Sequence, residues 1–140
     1  MDPSKVLIVD DNLDLAHALE LRLRANNYQA VLAQSGPSAV ALALAHKPIA
    51  ILLDLHLPKE DGLAVMMEFR SCPEIAGVPV IVMSADCSVV TQHKVLDAGA
   101  HAFLDKPLNH RSLLHMLRGI EMRSADQQRL MATDPHRLQD

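Results

Sequence analysis

Four apolar runs in this chain lead straight into polar residues. "KVLIV" precedes Asp10 and Asp11, "IAILL" precedes Asp54, "VIVM" precedes Ser84, and "HAFL" precedes Asp105 and Lys106. Taken singly, each has an ordinary reading. An aspartate pair after a strand usually caps the next helix, and Asp11 or Asn12 could do so here. A lone serine or lysine is usually a solvated loop residue. Taken together, they offer chemistry. Three close carboxylates repel one another, and leaving them uncompensated is costly. A hard divalent cation relieves that repulsion. Mg2+ takes oxygen ligands, keeps several waters and favours one or two carboxylates plus a phosphate. Lys106 could then neutralise a phosphoryl oxygen, and the Ser84 hydroxyl could donate to another. A carboxylate in such company, Asp54, is a candidate acceptor of a phosphoryl group, giving an aspartyl phosphate.

That chemistry requires the runs to lie side by side, and the pattern along the chain provides for it. Short apolar runs alternate with helical periods. Lys5–Val9 reads as the first strand. A helix follows from about Leu13 to Asn26, with Ala16, Leu19 and Leu23 on one stripe. Tyr28–Ala33 is the second strand. "SGPSAVALALAHKP" is a second helix, with Pro37 in the first turn and Pro48 closing it. Ile49–Leu53 is the third strand, and a third helix spans about Leu63–Ser71. Val80–Met83 is the fourth strand, Ser88–Ala98 the fourth helix, and His101–Leu104 a short fifth strand. The last helix starts near Asn109 and carries Leu113, Leu117 and Ile120 on one face. Strands one, three and four are continuous apolar runs, the mark of strands buried on both faces of a parallel sheet. Five alternations predict a (βα)5 doubly wound α/β domain. In such folds ligands bind beyond the carboxyl ends of the strands, where the five polar residues fall.

Composition removes other classes. The 140 residues suit one domain with a sizeable core. Net charge is −4, from 13 basic and 17 acidic residues, with no basic run, which speaks against nucleic-acid binding. No apolar run approaches a membrane span, and "MDPSKVLIVDD" has no signal-peptide architecture. Cys72 and Cys87 form no CxxC motif, so a reducing cytoplasm fits best. No two of the eight histidines stand three or four apart, so no helical metal-ligand pair exists. No Gly-rich phosphate loop occurs.

The ordered set resembles the receiver domain of two-component response regulators, the CheY-like family, over about residues 4–122. The matching elements are "VLIVDD", "LLDLHLPKEDG", "VIVMSA" and "AGAHAFLDKP". The resemblance implies that Asp54 accepts a phosphoryl group from a phosphohistidine on a sensor histidine kinase or phosphotransfer protein. It implies Mg2+ as cofactor, held by Asp10, Asp11, Asp54 and the backbone carbonyl of His56. Ser84 and Lys106 would contact the phosphoryl oxygens. Ser84 and Phe103 would act as the switch, signalling to a downstream target through the fourth helix, fifth strand and fifth helix. Lys106-Pro107 would be a cis peptide. His56 and Asp86 stand two residues after Asp54 and Ser84, at positions that vary in the family and tune phosphate lifetime.

Residues 123–140 read as a polar tail, either extending the last helix to about Ala132 or forming a linker. The chain reads as a stand-alone module or a piece cut before an output domain. Two competing functions are a Mg2+-dependent phosphohydrolase with Asp54 as nucleophile and a pseudo-receiver that binds partners without phosphate.

Overall fold

The computed structural model describes residues 3–133, with side chains described up to residue 126. The described residues form seven strands and five helices, in the order β1 (Ser4–Val9), α1 (Leu13–Ala25), β2 (Tyr28–Ala33), α2 (Gly36–His46), β3 (Ala50–Asp54), β4 (His56–Leu57), β5 (Glu60–Asp61), α3 (Gly62–Ser71), β6 (Val80–Ser84), α4 (Val89–Asp97), β7 (Ala102–Asp105) and α5 (His110–Thr133). Five of the strands form one parallel sheet in the order β2-β1-β3-β6-β7. This is the doubly wound, flavodoxin-like arrangement. β4 and β5 form a separate antiparallel pair that the sequence pattern did not announce.

Side-chain alternation on the central strands builds two cores. Leu7, Val9, Ile51, Leu53, Val80 and Val82 face α2, α3 and α4, where they meet Ala39, Ala43, Met66, Phe69 and Val95. Val6, Ile8, Leu52, Ile81 and Met83 face α1 and α5, against Ala16, Leu19, Leu23, Leu113 and Leu117. Every residue of β3 and β6 is buried. With both faces covered, the strands need apolar side chains throughout, which is why they lack alternation in sequence.

The helix ends follow their capping chemistry. Asn12 caps α1 by accepting from the Leu15 N–H, and Ser35 with Ser38 closes a capping box on α2. Lys47 ends α2 in the left-handed region, at φ 50°, just before Pro48. α5 is the longest helix. Among its described side chains, up to residue 126, the last buried one is Ile120, and the backbone continues helical to Thr133. Positions 134–140, the end of the expected polar tail, lie outside the described residues.

Candidate functional site

The parallel register fixes which strand ends meet. Val9 pairs with Leu53, so Asp10 emerges beside Asp54. Asp54 itself pairs with Met83, one residue before Ser84, and Ser84 pairs with Asp105, one residue before Lys106. Asp54 and Ser84 are the last residues of their strands and do not follow them. The strand ends expected at Leu53, Met83 and Leu104 therefore fall one residue short, while those at Val9 and Ala33 hold, because a strand's final pairing can continue through a polar residue.

The side chains then converge. Oxygens of Asp10, Asp11 and Asp54 all lie within 4.8 Å of one another. Lys106 Nζ stands 3.2 Å from Asp54 Oδ2 and 3.3 Å from Asp10 Oδ2. Asp10 and Asp54 are 2% and 6% exposed, while Asp11 is open to solvent. The second oxygens are held by backbone. The Asn12 N–H donates to Asp10 Oδ1 at 2.9 Å, and the His56 N–H to Asp54 Oδ1 at 3.1 Å. Three carboxylates against one ammonium leave an excess of negative charge. Burial pushes the Asp10 carboxyl above its ordinary range; the Asn12 N–H and Lys106 oppose this, and the charge on Asp54 adds to it.

That donor set fits a hard cation. All candidate ligand atoms are carboxylate oxygens, two from buried residues and one from the exposed Asp11, whose open side leaves room for waters and for an incoming oxygen, as Mg2+ prefers. A softer metal would call for imidazole or thiolate. The backbone of His56 is fixed at the same place by its bond to Asp54, while its side chain is exposed.

Ser84 is fully buried, and its Oγ accepts the Asp86 N–H at 3.0 Å. A hydroxyl that accepts still has its own hydrogen to donate. The Asp86 carboxylate takes the Ser88 N–H at 3.0 Å and the Thr91 hydroxyl at 2.8 Å. These bonds, led by the Ser88 N–H, hold its pKa below the ordinary carboxylate value, with a smaller contribution from His56. Ser84 is thus joined through Asp86 to the start of α4. The sequence carried a sign of this in "DCSVVT", where Asp, Ser and Thr are spaced for turn and cap bonds. Phe103 is half-buried on β7, opposite Val82, and packs against the core on the α4 side. Lys106-Pro107 is a cis peptide.

Two residues outside the expected set support the site. Gly62 N donates to Leu55 O, and a Cβ at Gly62 would stand 2.5 Å from that oxygen and 2.8 Å from Leu55 Cα. Only glycine lets α3 start this close to the residue after Asp54. Glu60 reaches across from β5 to accept the Gly36 N–H at the start of α2. Asp-Gly is a common turn pair in sequence, but nothing in the pair shows which backbone approaches.

The fold and its acidic carboxyl edge define a doubly wound domain built to meet a ligand at a topological switch point. The family profile described as "Response regulator receiver domain" matches residues 6–118, and the chain belongs to that family, the receiver domains of two-component systems. Response regulator MprA of Mycobacterium sp. (strain KMS) is 35% identical over 123 residues, covering 88% of this chain and 53% of the relative. This chain thus spans about half the length of the curated relatives it matches. Among solved structures, the receiver domain of sensor histidine kinase PA1611 from Pseudomonas aeruginosa PAO1 is 31% identical, with a TM-score of 0.77 over 85% of this chain and 98% of that one; it holds a magnesium ion in its active-site cleft. The receiver domain of Francisella response regulator 1452 is 25% identical, with a TM-score of 0.79 over 87% of this chain and 98% of that one. Among the described residues, no helix is long and apolar enough to cross a membrane.

Proposed function

We propose that Asp54 is the phosphoryl acceptor of this receiver domain. One observation carries the reading: Asp54 is the strand-end carboxylate that lies within 3.2 Å of Lys106 and inside the cluster with Asp10 and Asp11. A carboxylate oxygen of Asp54 attacks the phosphorus of a phosphohistidine. The P–N bond breaks, its electron pair returns to the imidazole, and an acyl phosphate forms. Lys106 offers its ammonium to one phosphoryl oxygen as charge develops there, and Ser84 donates its hydroxyl to another. Asp10, Asp11, Asp54 and the His56 carbonyl would hold Mg2+, which supplies charge neutralisation when bound. Water attack on phosphorus later breaks the P–O bond to Asp54, so the domain also returns itself slowly to the starting state. The side chains of His56 and Asp86 would set that rate.

The phosphodonor is a sensor histidine kinase or a phosphotransfer protein, and the reaction belongs to the cytoplasm, where such donors are charged. The signal leaves through Ser84. When its hydroxyl turns to the phosphoryl group, the Asp86 N–H loses its acceptor and the α4 start is freed to shift. Phe103 then rotates toward the vacated space. α4 is suited to moving, since Val95 is its one buried residue while Val89, Val90 and Leu96 are exposed. The readout surface is the α4-β7-α5 face, presented to a protein target and not to nucleic acid.

Amide NMR with beryllofluoride and Mg2+, a mimic of the phosphoryl group, tests both parts. Wild type should show shifts at Ser84, Asp86, Lys106, α4 and Phe103, and Asp54→Asn should show none. Shifts that survive in Asp54→Asn would remove the acceptor assignment. Shifts confined to the strand ends, with α4 and Phe103 unchanged, would remove the route.

A further inference from the structure

Away from Asp54, a cleft of about 530 Å³ runs between α1 and the first turns of α5. Arg22 and Asn26 line it from α1; His110, Arg111, His115 and Arg118 line it from α5, with Leu114 between them. No carboxylate lines it. The ion pairs among the described residues join Glu20 to His17 and Arg24, and Lys106 to Asp10 and Asp54, so none of the three arginines takes part in one. Arg118 reaches Asn26 Oδ1 at 3.5 Å and lies beside the Tyr28 hydroxyl. Glu121, one turn further along α5, hydrogen-bonds the Tyr28 hydroxyl.

This concentration of positive charge, in a chain of net charge −4, works against local stability. Arg22 has a local reason to be where it is, in the last turn of α1, where the helix dipole favours a cation. Arg111 has the opposite position. It is the second residue of α5, whose first turn has no acid, and a cation there opposes the dipole. His115 and Arg118 stack above it at helical spacings, adding further nitrogen donors to the same face. A local rule broken without local compensation marks a functional position.

An anion resolves all of these conflicts at once. Guanidinium forks match phosphate oxygens in pairs, and the positive end of the α5 dipole lies at the same place. Arg111 and Arg118 are separated by about 10 Å of helix rise, too far for one phosphate to serve both. We propose that this cleft binds a small ligand bearing two or more adjacent phosphoryl groups, between inorganic pyrophosphate and a nucleoside diphosphate in size. Its volume suits a small ligand, and its concave lining from two helices suits one better than it suits a protein segment.

Calorimetry on the full chain in Mg2+-free buffer, with amide NMR to locate the site, tests this. Pyrophosphate and ADP should bind one site, with shifts at positions 22–26 and 110–118. Tighter binding of ADP would indicate that a nucleoside adds contacts, and equal binding that the phosphates suffice. Orthophosphate should bind roughly tenfold more weakly, as should pyrophosphate to R22Q/R111Q. Asp54→Asn should bind as wild type does. R111Q without ligand should melt no lower than wild type, because the misplaced cation is gone. The proposal fails if pyrophosphate does not bind, if orthophosphate binds as tightly, if R22Q/R111Q retains wild-type affinity, or if the shifts cluster at Lys106. Binding of an oligoglutamate peptide in place of pyrophosphate would also overturn it and assign the face to a protein partner.

Discussion

Asp10 makes the tension at this site most visible. It is almost fully buried, its carboxyl is pushed upward by that burial, and its one cation is shared with Asp54. A carboxyl raised in the folded state costs stability wherever it must ionise, and the cost disappears once the pH is low enough to protonate it. Asp10→Asn should therefore stabilise the metal-free protein at neutral pH by about 1 kcal/mol and reduce the gain on adding Mg2+. Thermal melts with Mg2+ and with a chelator check this; a lower melting temperature for the metal-free variant would contradict it. Tyr28 repeats the sign at the alkaline end of the pH scale. Burial first, then the hydrogen bond to Glu121, raises its phenol from 10.0 to about 12. The folded state keeps that proton more tightly than the unfolded chain does. The associated stability is complete below pH 10 and is lost as pH rises toward about 12. Denaturation across that interval should show wild type losing about 2 kcal/mol more than Tyr28→Phe. At this scale the sequence was informative, because Asp10, Asp11, Asp54, Ser84 and Lys106 are polar exceptions in apolar surroundings. It could not show that Ser84 Oγ is engaged by the Asp86 N–H, since that bond depends on the turn and not on residue type.

At the scale of elements, the five sheet strands and five helices follow from apolar runs and helical stripes that packing then uses. What escaped has a physical reason. Two residues per strand give β4 and β5 no period to detect. Their hairpin matters because it carries the chain from Asp54 to Gly62 in close contact with Leu55. Gly62→Ala places a Cβ against backbone that cannot give way as a side chain could. It should cost about 1–3 kcal/mol and disturb the residues around Asp54. Chemical denaturation combined with amide shifts at Leu55 and His56 would register both effects; an unchanged midpoint would contradict the close approach. Arg70 was equally invisible in sequence. Its guanidinium donates to the carbonyls of Ala76, Val78 and Gly99, tying the end of α3 to the turn after α4. A lone arginine in a helix gives no hint of three carbonyl partners contributed by two loops. The clasp holds the far end of α4, while the near end depends on Asp86 and Ser88, so any motion is expected at the end close to Asp54.

At the scale of the whole molecule, a stiff sheet with two cores holds Asp10, Asp11, Asp54, Ser84 and Lys106 at one edge, and one helix is left lightly attached beside them. The parallel, doubly wound sheet could be anticipated from the alternation of strands and helices, and convergence at the carboxyl edge followed from it. The basic cleft between α1 and α5 could not, since Arg22 and Arg111 are distant in sequence and no run of charge announces them. That Asp54 is the residue that takes the phosphoryl group is most directly tested by the mass of the intact protein after incubation with acetyl phosphate. Wild type in Mg2+ should gain a single phosphoryl group, and fragmentation should place it on Asp54. With a chelator, or in Asp54→Asn, the gain should disappear. An adduct of equal yield in Asp54→Asn, or one in wild type that maps to another residue, would contradict the assignment.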